Sequence, residues 1–133
     1  MRDFPDADKI YKIIEESLVE YKKEDSEYQN SSVYDVFIVG SVAKNEYEPN
    51  ESDLDLVVII ENSPHSPICL GFDTYLREGY YMNSGTPIRN RIMRVANINI
   101  TGVDIGVYSE NNYASLIDDE EVYSCKHNKY ISI

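Results

Sequence analysis

At 133 residues the chain suffices for one sheet covered by a few helices and is too short for two independent cores, so a single domain over 1–133 with one site is expected. The hydrophobic fraction of 42% supports a packed core, and 24 acidic against 12 basic residues give a formal charge of -12 that repels bulk DNA and anionic membrane. No apolar run approaches the roughly 20 residues that span a bilayer. Met1-Arg2-Asp3-Phe4-Pro5 has no signal-peptide core, and Cys69 and Cys125 lack zinc or redox spacing. A cytoplasmic location with buried, reduced thiols is therefore expected.

Ile10, Ile13, Ile14, Leu18 and Tyr21 recur at steps of three and four and predict a helix over Asp6 to Glu24, capped by Asp6 or Asp8. Polar residues from Asp25 to Ser32 predict a loop. Val33 to Val39 is β-rich, and its apolar end Val36-Phe37-Ile38-Val39 predicts a strand buried on both faces that stops at Gly40-Ser41. A short helical turn over Ser41 to Lys44 and an exposed connection from Asn45 to Ser52 follow, then a second central strand, Leu54 to Ile60. Asn62 to Thr86 is punctuated by Pro and Gly and yields only one helix, near Asp73 to Tyr81. Arg89 to Ile100 reads as a helix ending in a strand, Gly102 as a turn, Val103 to Tyr108 as an apolar strand, and Asn112 to Val122 as a last helix before a short tail.

The order strand, Gly40-Ser41, loop, Asp53-Leu54-Asp55, strand brings phosphate donors and carboxylates to one end of two neighbouring strands. Gly40 has no β-carbon, so backbone can approach a phosphate closely, and Ser41 adds a hydroxyl donor. Asp53 and Asp55, two apart on an extended chain, point the same way while Leu54 points oppositely. Magnesium, a hard cation, takes carboxylate and phosphate oxygens. Asp104 is a third carboxylate within an apolar strand, a costly placement unless it is paired or bound to metal. If its strand lies beside that of Asp53 and Asp55, a three-carboxylate site results, with Asp104 also able to accept the proton of an attacking hydroxyl.

These residues resemble the nucleotidyltransferase superfamily, especially its minimal nucleotidyltransferase family, related to kanamycin-type and DNA polymerase β-type enzymes. The match rests on Val36 to Lys44, on Pro49 to Ser52 leading into Asp53-Leu54-Asp55-Leu56-Val57-Val58, and on Val103-Asp104-Ile105. Ile117 to Tyr123 looks like that family's closing segment. The resemblance implies an α/β (α+β) nucleotidyltransferase fold, a mixed β-sheet flanked by helices. It also implies ATP or another nucleoside triphosphate as donor, Mg2+ or Mn2+ as cofactor, and transfer of a nucleoside monophosphate, AMP first, to an acceptor hydroxyl with loss of pyrophosphate. By position Gly40 and Ser41 match the phosphate-binding pair, and Asp53, Asp55 and Asp104 match the catalytic, metal-binding carboxylates. Two features depart from the pattern: the 11 residues between Ser41 and Asp53 exceed the commonest spacing, and Asn45 stands where Gly is frequent.

Family members often act as antitoxins that nucleotidylate a tyrosine of a HEPN-type toxin ribonuclease, and the resemblance makes that the preferred setting, with a partner protein or a second copy, as a homodimer, completing the pocket. Two alternatives are a non-catalytic binding protein that inhibits a partner by contact, with the Tyr-rich middle as its surface, and a transferase acting on a small molecule such as an antibiotic. Among the remaining residues, Lys44 is a candidate for contacting the γ-phosphate. Arg89, Arg91 and Arg94 are the basic cluster, read as surface before phosphate ligand. His65 and His127 lack metal spacing. Tyr47, in the loop before the aspartates, is a candidate for a place near a nucleobase.

Overall fold

The computed structural model describes residues 3–111, 113–117 and 121–131. Helix α1 (Ala7–Tyr21) opens at Asp6, whose side chain accepts from the Lys9 amide, and buries the predicted stripe of Ile10, Ile13, Ile14, Leu18 and Tyr21. It ends three residues earlier than its periodicity suggests, because the Glu24 and Asp25 amides turn back onto the Tyr21 carbonyl. A 3-10 turn at Ser26–Tyr28 precedes strand β1 (Ser32–Val39), which leads directly into the one-turn helix α2 (Gly40–Ala43). Strand β2 (Leu54–Glu61), helices α3 (Leu70–Glu78) and α4 (Ile88–Ala96), strand β3 (Val103–Ser109), helix α5 (Tyr113–Leu116) and the strands β4 (Val122–Ser124) and β5 (Lys129–Ile131) complete the order.

The five strands form one mixed sheet in the order β3-β2-β1-β4-β5. β1 pairs antiparallel with both β2 and β4, and β2 pairs parallel with β3. A parallel neighbour cannot be reached by a tight turn, and the connection from β2 to β3 carries α3 and α4. The main core lies between the sheet and α1, α3 and α4: Val36, Ile38, Leu54, Leu56, Val58 and Ile60 meet Ile10, Ile14, Phe72, Leu76 and Ile92. A smaller cluster of Phe37, Val39, Ile59 and Val122, with Tyr113 and Ile117 against it, occupies the opposite face. Tyr34 is the extra residue of an irregularity in β1, where Val33 pairs with Ile60 and Asp35 with Ile59. That insertion lets Val33 and Val36 both serve the main core, which strict alternation would forbid.

Several expectations need correction. The helix of the middle segment starts at Leu70, three residues before Asp73, and stops at Gly79. Arg89 to Ile100 does not end as a strand. Asn97 takes a left-handed conformation (φ 59°) that ends α4, and the chain then runs beside 50–54 through bonds such as Thr101 N to Ser52 O. Helix α5 spans only Tyr113–Leu116, and Val122 belongs to β4. Residues 112 and 118–120 of the predicted last helix lie outside the described residues. The tail is a β-hairpin, whose inner strand is held by the buried Asp35. Its carboxylate accepts from Ser124 Oγ at 2.6 Å and from the Lys126 amide at 3.2 Å, while Cys125 N donates to Val36 O. Among the described residues no helix is long and apolar enough to cross a membrane.

Candidate active site

Antiparallel pairing sets the end of β1 beside the start of β2, and parallel pairing sets the start of β3 there too. Val39 pairs with Asp55, and Asp55 pairs with Asp104. Directly paired residues project to the same face. Asp55 and Asp104 therefore share the face opposite α1, α3 and α4, while Leu54, wholly buried, points into the main core as the spacing requires. Asp104 is 65% exposed, and Asp55 is half-buried. Asp53 stands just ahead of β2, where its Oδ1 accepts from Thr101 Oγ1 at 2.7 Å.

Gly40 is fitted to this place twice over. Its φ of +71° is one that side chains resist, and a β-carbon there would lie 2.5 Å from Asp55 Oδ2. Glycine thus lets the turn after β1 close directly onto the Asp55 carboxylate. Ser41 follows, half-buried, and Lys44 is exposed at the end of α2. Asn45 is left-handed (φ 57°), so it supplies the conformation for which glycine is the commoner residue.

An open cavity of about 320 Å³ lies over this face, lined by Val39, Asp55, Arg77, Asp104, Gly106 and Tyr108 among others. That volume is at the small end of ligand pockets. Gly106 lets the Tyr108 side chain lie against the strand here: a β-carbon there would come within 2.9 Å of the Tyr108 hydroxyl. Ser41, Asp53 and Lys44 do not line the cavity.

Arg77 is the basic side chain in this wall, and the sequence did not single it out. It projects from α3 around the outer edge of β3, where it donates from Nε to Asp73 and from Nη2 to the Ile105 carbonyl. Its Nη1 lies 3.6 Å from Asp104 Oδ1. The hydrogen bond to Asp73, opposed by partial burial, holds the guanidinium above its ordinary range. The candidate cations of the sequence lie elsewhere. Arg91 lies 5.3 Å from the Tyr81 ring centre, Arg89 lines a second cavity with Thr101 and Gly102, and Arg94 is exposed in the last turn of α4. Tyr47 is only 3% exposed, and its hydroxyl donates to the Asp3 carbonyl at 2.7 Å, so it belongs to the main core and not to a nucleobase pocket. His65 is exposed, 3.6 Å from Glu27.

Among the described residues no three His, Cys, Asp or Glu side chains converge closely enough, as they stand, to hold a metal ion. The donor set still suits a hard cation. Asp55 and Asp104 are paired carboxylates on one face, and both line the cavity above it.

Fold and site together define an α+β domain with a mixed sheet, a glycine-serine turn and carboxylates at one end. The model of the nucleotidyltransferase domain matches residues 16–128, and the chain belongs to that family. No curated protein and no solved structure matches it.

Proposed function

We propose that this protein is a metal-dependent nucleotidyltransferase that moves a nucleoside monophosphate, AMP from ATP in the first instance, onto an acceptor hydroxyl. One observation supports the reading above the others: Gly40, Asp55 and Asp104 meet at one end of three adjacent strands, with glycine packed against a carboxylate at a spacing no other residue permits. An Asp-x-Asp in a solvated turn would have no need of that fit.

In this reading Gly40 and Ser41 bind the triphosphate, with Lys44 able to reach its outer end. Asp53, Asp55 and Asp104 would hold Mg2+ or Mn2+, which when bound offsets phosphate charge and polarises the reacting oxygens. Asp104 accepts the proton of the acceptor hydroxyl. The acceptor oxygen forms its bond to the α-phosphorus as the bond from that phosphorus to the pyrophosphate oxygen breaks. Alignment of the two substrates supplies much of the rate. The open face beside Tyr108 leaves room for a second macromolecule as acceptor, which accords with a tyrosine of a HEPN-type partner protein.

The test is calorimetric titration with ATP, GTP, CTP and UTP in the presence of magnesium, comparing the wild-type protein with the Asp53→Asn, Asp55→Asn double variant. Magnesium-dependent binding that the double variant loses supports the site and names the donor. Binding indifferent to both aspartates, or none in the intact protein, overturns it and favours inhibition of a partner by contact.

A further inference from the structure

The cation facing the paired carboxylates comes from α3, the helix of the middle segment. Arg77 is fixed before any ligand arrives: Asp73, one helical turn earlier on α3, holds Nε, and the Ile105 carbonyl holds Nη2. Asp73 itself is fixed, because its other oxygen accepts from the Val107 amide at 3.3 Å. Asp73 and Arg77 thus bond to the free edge of β3 much as a neighbouring strand would, and the chain around Ile68 continues that coverage through Cys69 N to Val107 O and Ser109 N to Pro67 O. Two of the three guanidinium nitrogens are committed to this anchoring. The third, Nη1, lies 3.6 Å from Asp104 Oδ1, beyond hydrogen-bonding distance, and Arg77 lines the cavity together with Asp55 and Asp104.

An exposed ion pair of this kind contributes little, whereas an arginine meeting phosphate oxygens makes charge-assisted hydrogen bonds roughly twice as strong as neutral ones. Arg77 is 43% and Asp104 65% exposed, so the pair exchanges cheaply. An anchored guanidinium also loses little further freedom on meeting a ligand. In a chain of charge -12, a fixed cation beside two carboxylates offsets the local repulsion toward an incoming polyphosphate.

We infer that Arg77 is a phosphate-binding residue of this site, donating from Nη1 to a phosphate oxygen of the nucleoside triphosphate once its contact with Asp104 is released. The inference rests on the transferase reading above. Its test is the affinity for ATP and for inorganic tripolyphosphate, each with magnesium, in the wild type and in Arg77→Gln, Arg77→Lys and the charge control Arg94→Gln, with thermal unfolding recorded for each. Loss of a charge-assisted contact predicts affinity about tenfold to a hundredfold weaker for both ligands in Arg77→Gln, partial rescue in Arg77→Lys, and no change in Arg94→Gln. Intact binding by the wild type that a folded Arg77→Gln matches overturns the inference and leaves the transferase reading standing. A wild type that binds neither ligand overturns both. Because Arg77 also secures the edge of β3, its replacement can unfold the chain. Phenylglyoxal labelling of the wild type, read peptide by peptide, then decides: selective protection of Arg77 by tripolyphosphate with magnesium is expected, and equal labelling with and without it overturns the inference.

Discussion

Replacing Gly40 by alanine perturbs the turn and the carboxylate together. A non-glycine residue at a φ of +71° costs about 1–2 kcal/mol. The new β-carbon would stand 2.5 Å from Asp55 Oδ2, and real β-carbons essentially never come under 3.0 Å, so the carboxylate must move by at least about half an ångström. For a domain between the small and large size classes, that strain lowers the melting temperature by about 3–10 °C. A misplacement of 1 Å in an active site can lower a rate about a hundredfold, so half that displacement implies a loss near tenfold in nucleotide transfer. Differential scanning calorimetry measures the first effect, and a radiolabelled-nucleotide transfer assay measures the second. Gly85→Ala is the control, since nothing lies within 4 Å of its added β-carbon and its backbone is not left-handed. A Gly40→Ala variant that melts and reacts like the wild type would refute both the left-handed turn and its contact with Asp55.

Two further outcomes follow from the buried polar groups. Asp35 is 3% exposed and accepts from the amides of Val36 and Lys126 and from Ser124 Oγ, so Asp35→Ala strands three donors. It should cost about 3 kcal/mol or more in urea unfolding, with Asp35→Asn retaining part of that; a loss below about 1 kcal/mol would mean the hairpin is held by other contacts. Burial raises the phenols of Tyr11 and Tyr28 to about 12 from the ordinary value near 10. Because the folded values lie above the unfolded ones, stability from the protonated phenols is complete below about pH 10 and is lost as the pH rises toward 12. For the fully buried Tyr28 the slope approaches about 1.4 kcal/mol per pH unit, and denaturant midpoints unchanged between about pH 9 and 11.5 would contradict it.

Where local chemistry governs an element, the sequence determined it. The stripe of α1, the doubly buried run Val36 to Val39 and the glycine-serine stop each follow from periodicity or from one residue's steric freedom. The resemblance carried by those same residues anticipated the mixed sheet and, at the level of the superfamily, the nucleotidyltransferase domain. Tertiary structure decided what depends on partners distant in the chain. Tyr47 is polar enough for a loop, but the core accepts its ring and the Asp3 carbonyl its hydroxyl. Ile98 and Ile100 carry strand-like side chains, yet the left-handed Asn97 and the pairing with 50–54 hold them outside the sheet. The closing hairpin depends on Asp35, 89 residues before Ser124. Arg77 is an ordinary surface arginine on its own helix, and the parallel pairing of β2 with β3 brings Asp104 within its reach at the wall of the site. Periodicity reports which face of an element is apolar; it carries no information about which charge will stand opposite a carboxylate once the sheet is assembled.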